Sequence, residues 1–310
     1  VIGRHGFEHT FAPLLAIIDA TLPSLPTLAA FIYEFTSAQF PVFFEEIVGI
    51  HEELVSMNFN VSLRSLVVLN WLSEIDHVDI EAAVREDHVV YGGGGDGVPQ
   101  RELDVVLEAV ARLPFAGRAC SSLISRKPNG QVLHARNDDA SANKYTTNLT
   151  VDVTFVNGTE GNRTIAKSTQ FIGWVGVYTS LVPGIASLTE DQRASSKFSQ
   201  KFFMANLVSS HGGGPTAFVM RQAMISSGGG EHANIPQPRT FSNILAYLET
   251  HPFAVPAYCI LAGVKTPNNN QGAIVARNTS AFETRTLRLG STTPYVPFDW
   301  ALIQTNWEFW

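Results

Sequence analysis

Of the two cysteines in this 310-residue chain, Cys120 has the neighbours that nucleophilic chemistry needs. The run Cys120-Ser121-Ser122-Leu123-Ile124 leads through Lys127-Pro128-Asn129-Gly130 into Gln131-Val132-Leu133-His134-Ala135-Arg136-Asn137-Asp138-Asp139. Two short apolar runs about a Pro-Asn-Gly turn predict a β-hairpin. Paired strands lie about 5 Å apart, so folding one run back on the other brings Arg136 and Asp139 beside Cys120. A guanidinium favours the thiolate, the nucleophilic form of cysteine, and a carboxylate can orient an adjacent amine. Taken without their spacing from Cys120, Arg136 and Asp139 read more simply as a structural salt bridge.

The spacing carries a family likeness. Arg136 in His134-Ala135-Arg136-Asn137 follows Cys120 by sixteen residues and Asp139 by nineteen, which resembles the start of the mature β-subunit in the acid ceramidase and N-acylethanolamine acid amidase family. Bile-salt and penicillin V hydrolases are its wider relatives, and all are N-terminal nucleophile hydrolases. Further matches follow in order: Phe171-Ile172-Gly173-Trp174-Val175-Gly176, Pro183-Gly184 with Ser187-Leu188-Thr189, Pro256-Ala257-Tyr258-Cys259-Ile260-Leu261, and Gln304-Thr305-Asn306-Trp307. Upstream, Leu63 to Glu74 is similar to the end of the family's α-subunit. The likeness covers about 41–74 and 120–310.

The resemblance implies a mechanism. Self-cleavage of the Ala119–Cys120 bond makes Cys120 a new N-terminus, and the uncut chain is a zymogen. The freed α-amine, unlike an amide nitrogen, has a pKa near ~8 and can act as general base for its own thiol. By carry-over Cys120 attacks the amide carbonyl, Asp139 holds the amine, Arg136 stabilises negative charge and Asn306 donates its side-chain amide to the oxyanion. Gln192 and Arg193 support the site. Ceramide or an N-acylethanolamine is the implied fatty-acyl amide substrate, and the chain's own α and β parts are each other's partners after the cut. No cofactor or metal is implied.

The chain departs from the pattern in three places. Asp191-Gln192-Arg193 stands where the ceramidase branch has Asn-Glu-Arg, so a neutral amide replaces a carboxylate. Four residues follow Asn306 where family members run on, so the C-terminal end is expected to be missing. Between Glu74 and Cys120 stand forty-five residues, including Gly92-Gly93-Gly94-Gly95-Asp96-Gly97, where the family has a few. The expected division is a helical α-subunit-like part over 1–74, an atypical insert or activation segment over 75–119, and a β-subunit-like catalytic domain over 120–310.

Composition is consistent with this reading. Hydrophobic residues make up 45% of the chain and charged ones 16%, which excludes a wholly disordered polymer. A net charge of −7 argues against nucleic acid, whose phosphates need a basic face. No apolar run reaches the roughly 18 residues of a membrane span. The stretch Pro41-Val42-Phe43-Phe44 with Ile47-Val48 reads as the buried face of a helix, with contact to a lipid surface as the alternative.

Asn60, Asn148, Asn157, Asn162 and Asn278 each open an Asn-x-Ser/Thr glycosylation pattern. Five such sites point to the secretory pathway and to a lysosomal or secreted protein. A Cys120–Cys259 disulfide is the alternative to catalysis in that compartment, but Cys259 lies in an apolar run and is expected to be a buried free thiol.

Helical periodicity over 27–57 and 61–73 gives way to strand runs at 147–156, 163–171, 173–180, 257–264, 271–276, 283–289 and 299–305, with helices expected at about 100–112, 189–208, 216–226 and 240–250. Thr240 is the predicted N-cap of the last. Strands with inserted helices predict an α+β fold, and the resemblance sharpens this to the αββα sandwich of N-terminal nucleophile hydrolases with a helical N-terminal part. The glycine runs lack the Gly-Lys-Ser/Thr of a phosphate loop, and His134, His211, His232 and His251 lack zinc-ligand spacing. A papain-like site would need one of these histidines as base for Cys120. Two other readings stay open: a non-catalytic or defective family member that binds lipid, and a bile-salt or penicillin-type amide hydrolase, which the long helical part disfavours.

Overall fold

The computed structural model describes residues 11–75, 78–83, 119–139, 149–157, 163–193, 198–209, 213–225, 240–264, 271–279, 284–291 and 298–306. The N-terminal part is helical: α1 (Ala12–Thr21), α2 (Pro26–Gln39), α3 (Pro41–Ser56), α4 (Leu63–Leu69) and α5 (Leu72–Ile75). The helix expected over 27–57 is broken at Phe40, whose φ of −130° and ψ of 54° leave the helical region. Pro41 is the cause. Its ring disfavours helix at the preceding residue, and its missing N–H is harmless only at a helix start.

After Ala119 the chain forms two antiparallel sheets. Strands β1 (Ala119–Arg126), β2 (Val132–Asp139) and β10 (Ala301–Thr305) make a three-stranded sheet in the order β10-β1-β2. Strands β3 (Thr150–Asn157), β4 (Arg163–Phe171), β5 (Thr179–Val182), β6 (Ala186–Gln192), β7 (Ala257–Gly263), β8 (Gly272–Arg277) and β9 (Arg285–Arg288) make a seven-stranded one in chain order. Helices α6 (Gln200–Ser209), α7 (Thr216–Ile225) and α8 (Phe241–Thr250) interrupt it between β6 and β7. Thr240 does cap α8, its hydroxyl accepting from the Asn243 amide at 3.1 Å.

Side-chain alternation along β7 shows how the layers stack. Tyr258 and Ile260 join Ile124, Ile274 and Leu302 between the sheets, while Cys259 and Leu261 join Val219, Met220, Ile244 and Leu248 of α7 and α8 on the other face. A strand covered on both faces reads as one continuous apolar run, which is how 257–261 reads in the sequence. The chain is therefore an α+β sandwich of helices, large sheet and small sheet. The outer face of the small sheet, where Leu123 stands opposite Ile303, is exposed.

Two further stretches differ from the sequence expectation. The strand begins at Thr179 rather than at 173, because the Asn70 side chain takes the backbone there: its Oδ1 accepts from Val175 N at 2.8 Å and its Nδ2 donates to Gly173 O at 3.0 Å. Gly173 has φ +83°, and a side chain at that point would collide with Phe11. The helix expected over 189–208 is confined to α6, because residues up to Gln192 are held as a strand between β5 and β7. At the start of the expected insert, Val78, Ile80 and Ala83 are buried with the helical part. The helix expected at 100–112 lies outside the described residues.

The helical part is bound to the sandwich by polar and aromatic contacts. Glu46 accepts from Arg221 of α7 at 2.5 and 2.7 Å, and the guanidinium lies 5.0 Å from the Phe43 ring centroid and 4.9 Å from that of Phe155. Phe43 and Ile47 are buried, so this stretch of α3 presents them to the core as its periodicity predicts. Buried Glu74 accepts from the Thr216 amide at 2.9 Å, satisfying a donor at the start of α7 that has no partner within the helix.

Candidate active site

The predicted hairpin is β1 and β2, and its register places Cys120 opposite Asp138 and Ser122 opposite Arg136. Successive residues of a strand point to opposite faces, so Cys120, Ser122, Arg136 and Asp138 all face the large sheet. The thiol sulfur lies 3.6 Å from Arg136 Nη2 and 3.6 Å from Asp138 Oδ1. Among the described side chains, Asp138 places a carboxylate at the thiol. Asp139 stands opposite Ala119 in the ladder, and its side chain lies outside the described residues. Arg136 and Asp138, at i and i+2 of the strand, share a face.

The Arg136 side chain is 6% exposed and surrounded by carboxylates: Asp138 at 3.1 Å, Asp191 at 3.6 Å and Glu190 at 3.7 Å. Its Nη1 also donates to Thr179 Oγ1 at 3.1 Å. Ser122 donates to Asp191 at 2.8 Å, and burial raises the Asp191 pKa to about 6 against the pull of Arg136. The thiolate expected from the guanidinium alone is not favoured here. Burial, joined by the charges of Glu190, Asp138 and Asp191, outweighs Arg136 and pushes the Cys120 thiol up to about 12. At neutral pH this thiol carries its proton, and to act as a nucleophile it would need a base.

Asn306, which ends β10's reach toward Cys120, uses both ends of its amide. Its Oδ1 accepts from the Cys120 backbone nitrogen at 2.5 Å, and its Nδ2 donates to Gln192 O at 2.6 Å. The sequence reading gives this amide to an oxyanion. One of its two N–H groups is instead engaged by Gln192, leaving the second for that task. Gln192 therefore contributes its backbone carbonyl. Arg193 donates to Arg277 O at 3.0 Å and lies over Tyr258, one layer away from the thiol. Cys120 and Cys259 are both free and buried.

An open cleft of about 1680 Å³ runs from Arg136 and Asp138 along β2, β3, β4 and β5. Thr179 and Thr189 lie near its charged end, and Val132, Val153, Phe171 and Leu181 give it apolar wall. Its volume exceeds the roughly 300–1,000 Å³ usual for small-ligand pockets. Among the sequons, Asn60 is exposed and Asn157 and Asn278 are partly exposed, while Asn148 and Asn162 lie outside the described residues.

His134, which the sequence gives no zinc-ligand spacing, lines this cleft. Its Nδ1 meets Ser187 Oγ at 2.8 Å and its Nε2 meets Thr189 Oγ1 at 3.0 Å. Burial, and then Arg136, lower its pKa to about 4. A histidine depressed in the folded state stabilises above its unfolded pKa near ~6.5 and loses that contribution as pH falls toward 4. Raised Asp191 has the opposite sign, since stability falls as pH rises from its unfolded value toward 6. His134→Gln should therefore lose about 2 kcal/mol less stability than wild type between pH 7 and 5. Urea midpoints at the two pH values measure it, and equal pH differences in both proteins would refute the assignment.

No family model matches this sequence. The N-acylethanolamine-hydrolyzing acid amidase of Rattus norvegicus is 24% identical over 294 residues, spanning 81% of this chain and 71% of the relative. That of Caenorhabditis elegans is 28% identical over 204 residues, 65% of this chain and 50% of the relative. The acid ceramidase of Balaenoptera acutorostrata scammoni is 27% identical over 204 residues, 62% of this chain and 46% of the relative. The chain is thus similar to N-acylethanolamine-hydrolyzing acid amidases and to acid ceramidases. A solved structure of the C. elegans N-acylethanolamine-hydrolyzing acid amidase ortholog is also similar, with a TM-score of 0.47 and 23% identity over 61% of this chain and 70% of that one.

Proposed function

We propose that the chain is a lipid amidase that cleaves the amide bond of ceramide or an N-acylethanolamine, after self-cleavage before Cys120 and through a thioester on that residue. The observation that carries this reading is the Cys120 sulfur held 3.6 Å from both Arg136 and Asp138 while Asn306 binds the same residue's nitrogen. Once that nitrogen is a terminal amine it can take the thiol proton. The thiolate attacks the substrate carbonyl, Arg136 and the remaining Asn306 N–H oppose the developing negative charge, and the amine leaves with the proton. Water then hydrolyses the thioester to a fatty acid and restores the thiol. The apolar wall of the cleft suits an acyl chain, and its charged end suits the amide.

The two parts of the cut chain stay together in this reading through Glu46–Arg221, Glu74–Thr216 and the shared aromatic core. The sequons support a lysosomal or secreted location and activity at acidic pH on a lipid surface. A pH–rate profile on fatty-acyl amide in mixed micelles, with and without anionic lipid, tests both. We expect an acidic maximum and faster turnover with anionic lipid. A maximum above pH 8 with no lipid dependence would refute the lysosomal reading and leave the Cys120 chemistry standing.

A further inference from the structure

Between the two sheets a row of polar side chains runs from the cleft to the underside of the cysteine site. Ser187 Oγ lies 2.8 Å from His134 Nδ1, and His134 Nε2 lies 3.0 Å from Thr189 Oγ1. Thr189 Oγ1 is 3.3 Å from Ser122 Oγ, which donates to Asp191 Oδ1 at 2.8 Å. The same Asp191 oxygen faces Arg136 Nε at 3.6 Å, and Arg136 Nη2 reaches the Cys120 sulfur at 3.6 Å. Ser187, His134 and Thr189 line the cleft. Asp191 is fully buried, and its Oδ2 has no hydrogen-bond partner among the described residues. The Ser122 hydroxyl and the guanidinium therefore carry the work of holding its charge.

We infer that Ser122 is a positioning residue for the Cys120 site, and that His134, through Thr189, commits the Ser122 hydroxyl to Asp191. The positioning role rests on the amidase reading above. Counting hydrogens fixes the direction of the row. An ionised carboxylate only accepts, so Ser122 gives Asp191 its single hydrogen and has to accept from Thr189. Thr189, having given its own hydrogen to Ser122, accepts in turn from the imidazole. A neutral imidazole carries one N–H, which then stands on Nε2, and the Nδ1 lone pair accepts from Ser187. The opposite tautomer turns the Thr189 hydrogen toward the ring and leaves Thr189 free to compete with Asp191 for the Ser122 hydrogen. The tautomer of a cleft residue thus decides where a buried hydroxyl points. That hydroxyl sets the angle of Asp191 to Arg136, whose guanidinium is shared with Asp138, Glu190 and Thr179. A turned Asp191 lets the guanidinium swing toward those other partners and away from the sulfur.

The test joins nitrogen NMR of the histidine-labelled full chain to kinetics on a fatty-acyl amide. At pH 7.5, above the values of about 6 for Asp191 and about 4 for His134, the His134 ring should carry its hydrogen on Nε2. Its signals are those that vanish in His134→Gln. In Ser122→Ala the Thr189 hydroxyl loses its acceptor and turns to the ring, so the hydrogen should move to Nδ1, a change that loss of packing alone does not produce. A displaced guanidinium costs rate rather than binding, so kcat of Ser122→Ala should fall roughly 10- to 100-fold with KM unchanged. Thr189→Ser, which keeps the hydroxyl, should keep the wild-type tautomer. A hydrogen on Nδ1 in wild type, or on Nε2 in Ser122→Ala, overturns the row, and a wild-type kcat in Ser122→Ala overturns the positioning role. If Ser122→Ala does not fold, Thr189→Val decides: without a hydroxyl at Nε2 the hydrogen should again move to Nδ1, and its failure to move overturns the row. A wild-type chain that hydrolyses no fatty-acyl amide overturns the amidase reading and the positioning role with it, while the nitrogen signals still report on the row.

Discussion

Cys120→Ala will leave the chain in one piece and lower amide hydrolysis by on the order of 10⁴-fold or more, because in the proposed mechanism one sulfur serves both reactions. The loss is chemical rather than structural. Cys120 is buried, but exchanging its thiol for hydrogen removes little volume, and the cost in stability should be about 1 kcal/mol. Cys120→Ser separates the two demands on the side chain. A hydroxyl sits in the same place against Asp138 and Arg136, but it is a weaker acid than the thiol, so slow processing with little turnover is expected. The measurement is fragment formation on a denaturing gel beside hydrolysis of a fluorogenic fatty-acyl amide. A Cys120→Ala chain that hydrolyses the amide like wild type would refute the nucleophile.

What was legible in the sequence follows the range of the interactions. The hairpin, with Arg136 brought to Cys120, was readable because a turn signal and two apolar runs fix a local pairing. Family spacing supplied Asn306, which lies 186 positions away in the chain and binds the Cys120 nitrogen. Asp138 was missed although the signal was present: side chains alternate along a strand, so a carboxylate two residues beyond Arg136 shares its face. Glu190 and Asp191 were hidden differently. Consecutive carboxylates suggest a solvated loop or helix end, and nothing local shows that β6 lies between β5 and β7 with both carboxylates turned toward one guanidinium. The same long-range burial decides the thiol, which a reading of pairwise neighbours had placed on the thiolate side. Phe40–Pro41, by contrast, carried its helix break in plain view.

Arg136 carries the other large effect, since its guanidinium stands within salt-bridge distance of Asp138, Glu190 and Asp191 at once. Removing one partner from a buried ionic cluster costs about 3–5 kcal/mol, because the remaining charges stay out of water and repel one another. Arg136→Met should show a loss of this size at pH 7.5 together with loss of processing. Asp191, already raised to about 6 by burial, loses the guanidinium that pulls it down and holds its proton more tightly still. A raised acid pKa makes stability fall as pH rises through the interval between the two values. The variant's deficit should therefore shrink between pH 7.5 and 5, and urea midpoints at both will show it; an equal deficit would mean that lost packing, not charge, is the cause. Arg136→Lys keeps the charge but not the planar fork that reaches sulfur, carboxylates and Thr179 together, so it should recover part of the stability and little processing. Neutralising the cluster as well, with Asp138→Asn, Glu190→Gln and Asp191→Asn added to Arg136→Met, should return most of the lost stability with no activity. That outcome would separate what Arg136 does for the fold, balancing buried charge, from what it does for the thiol.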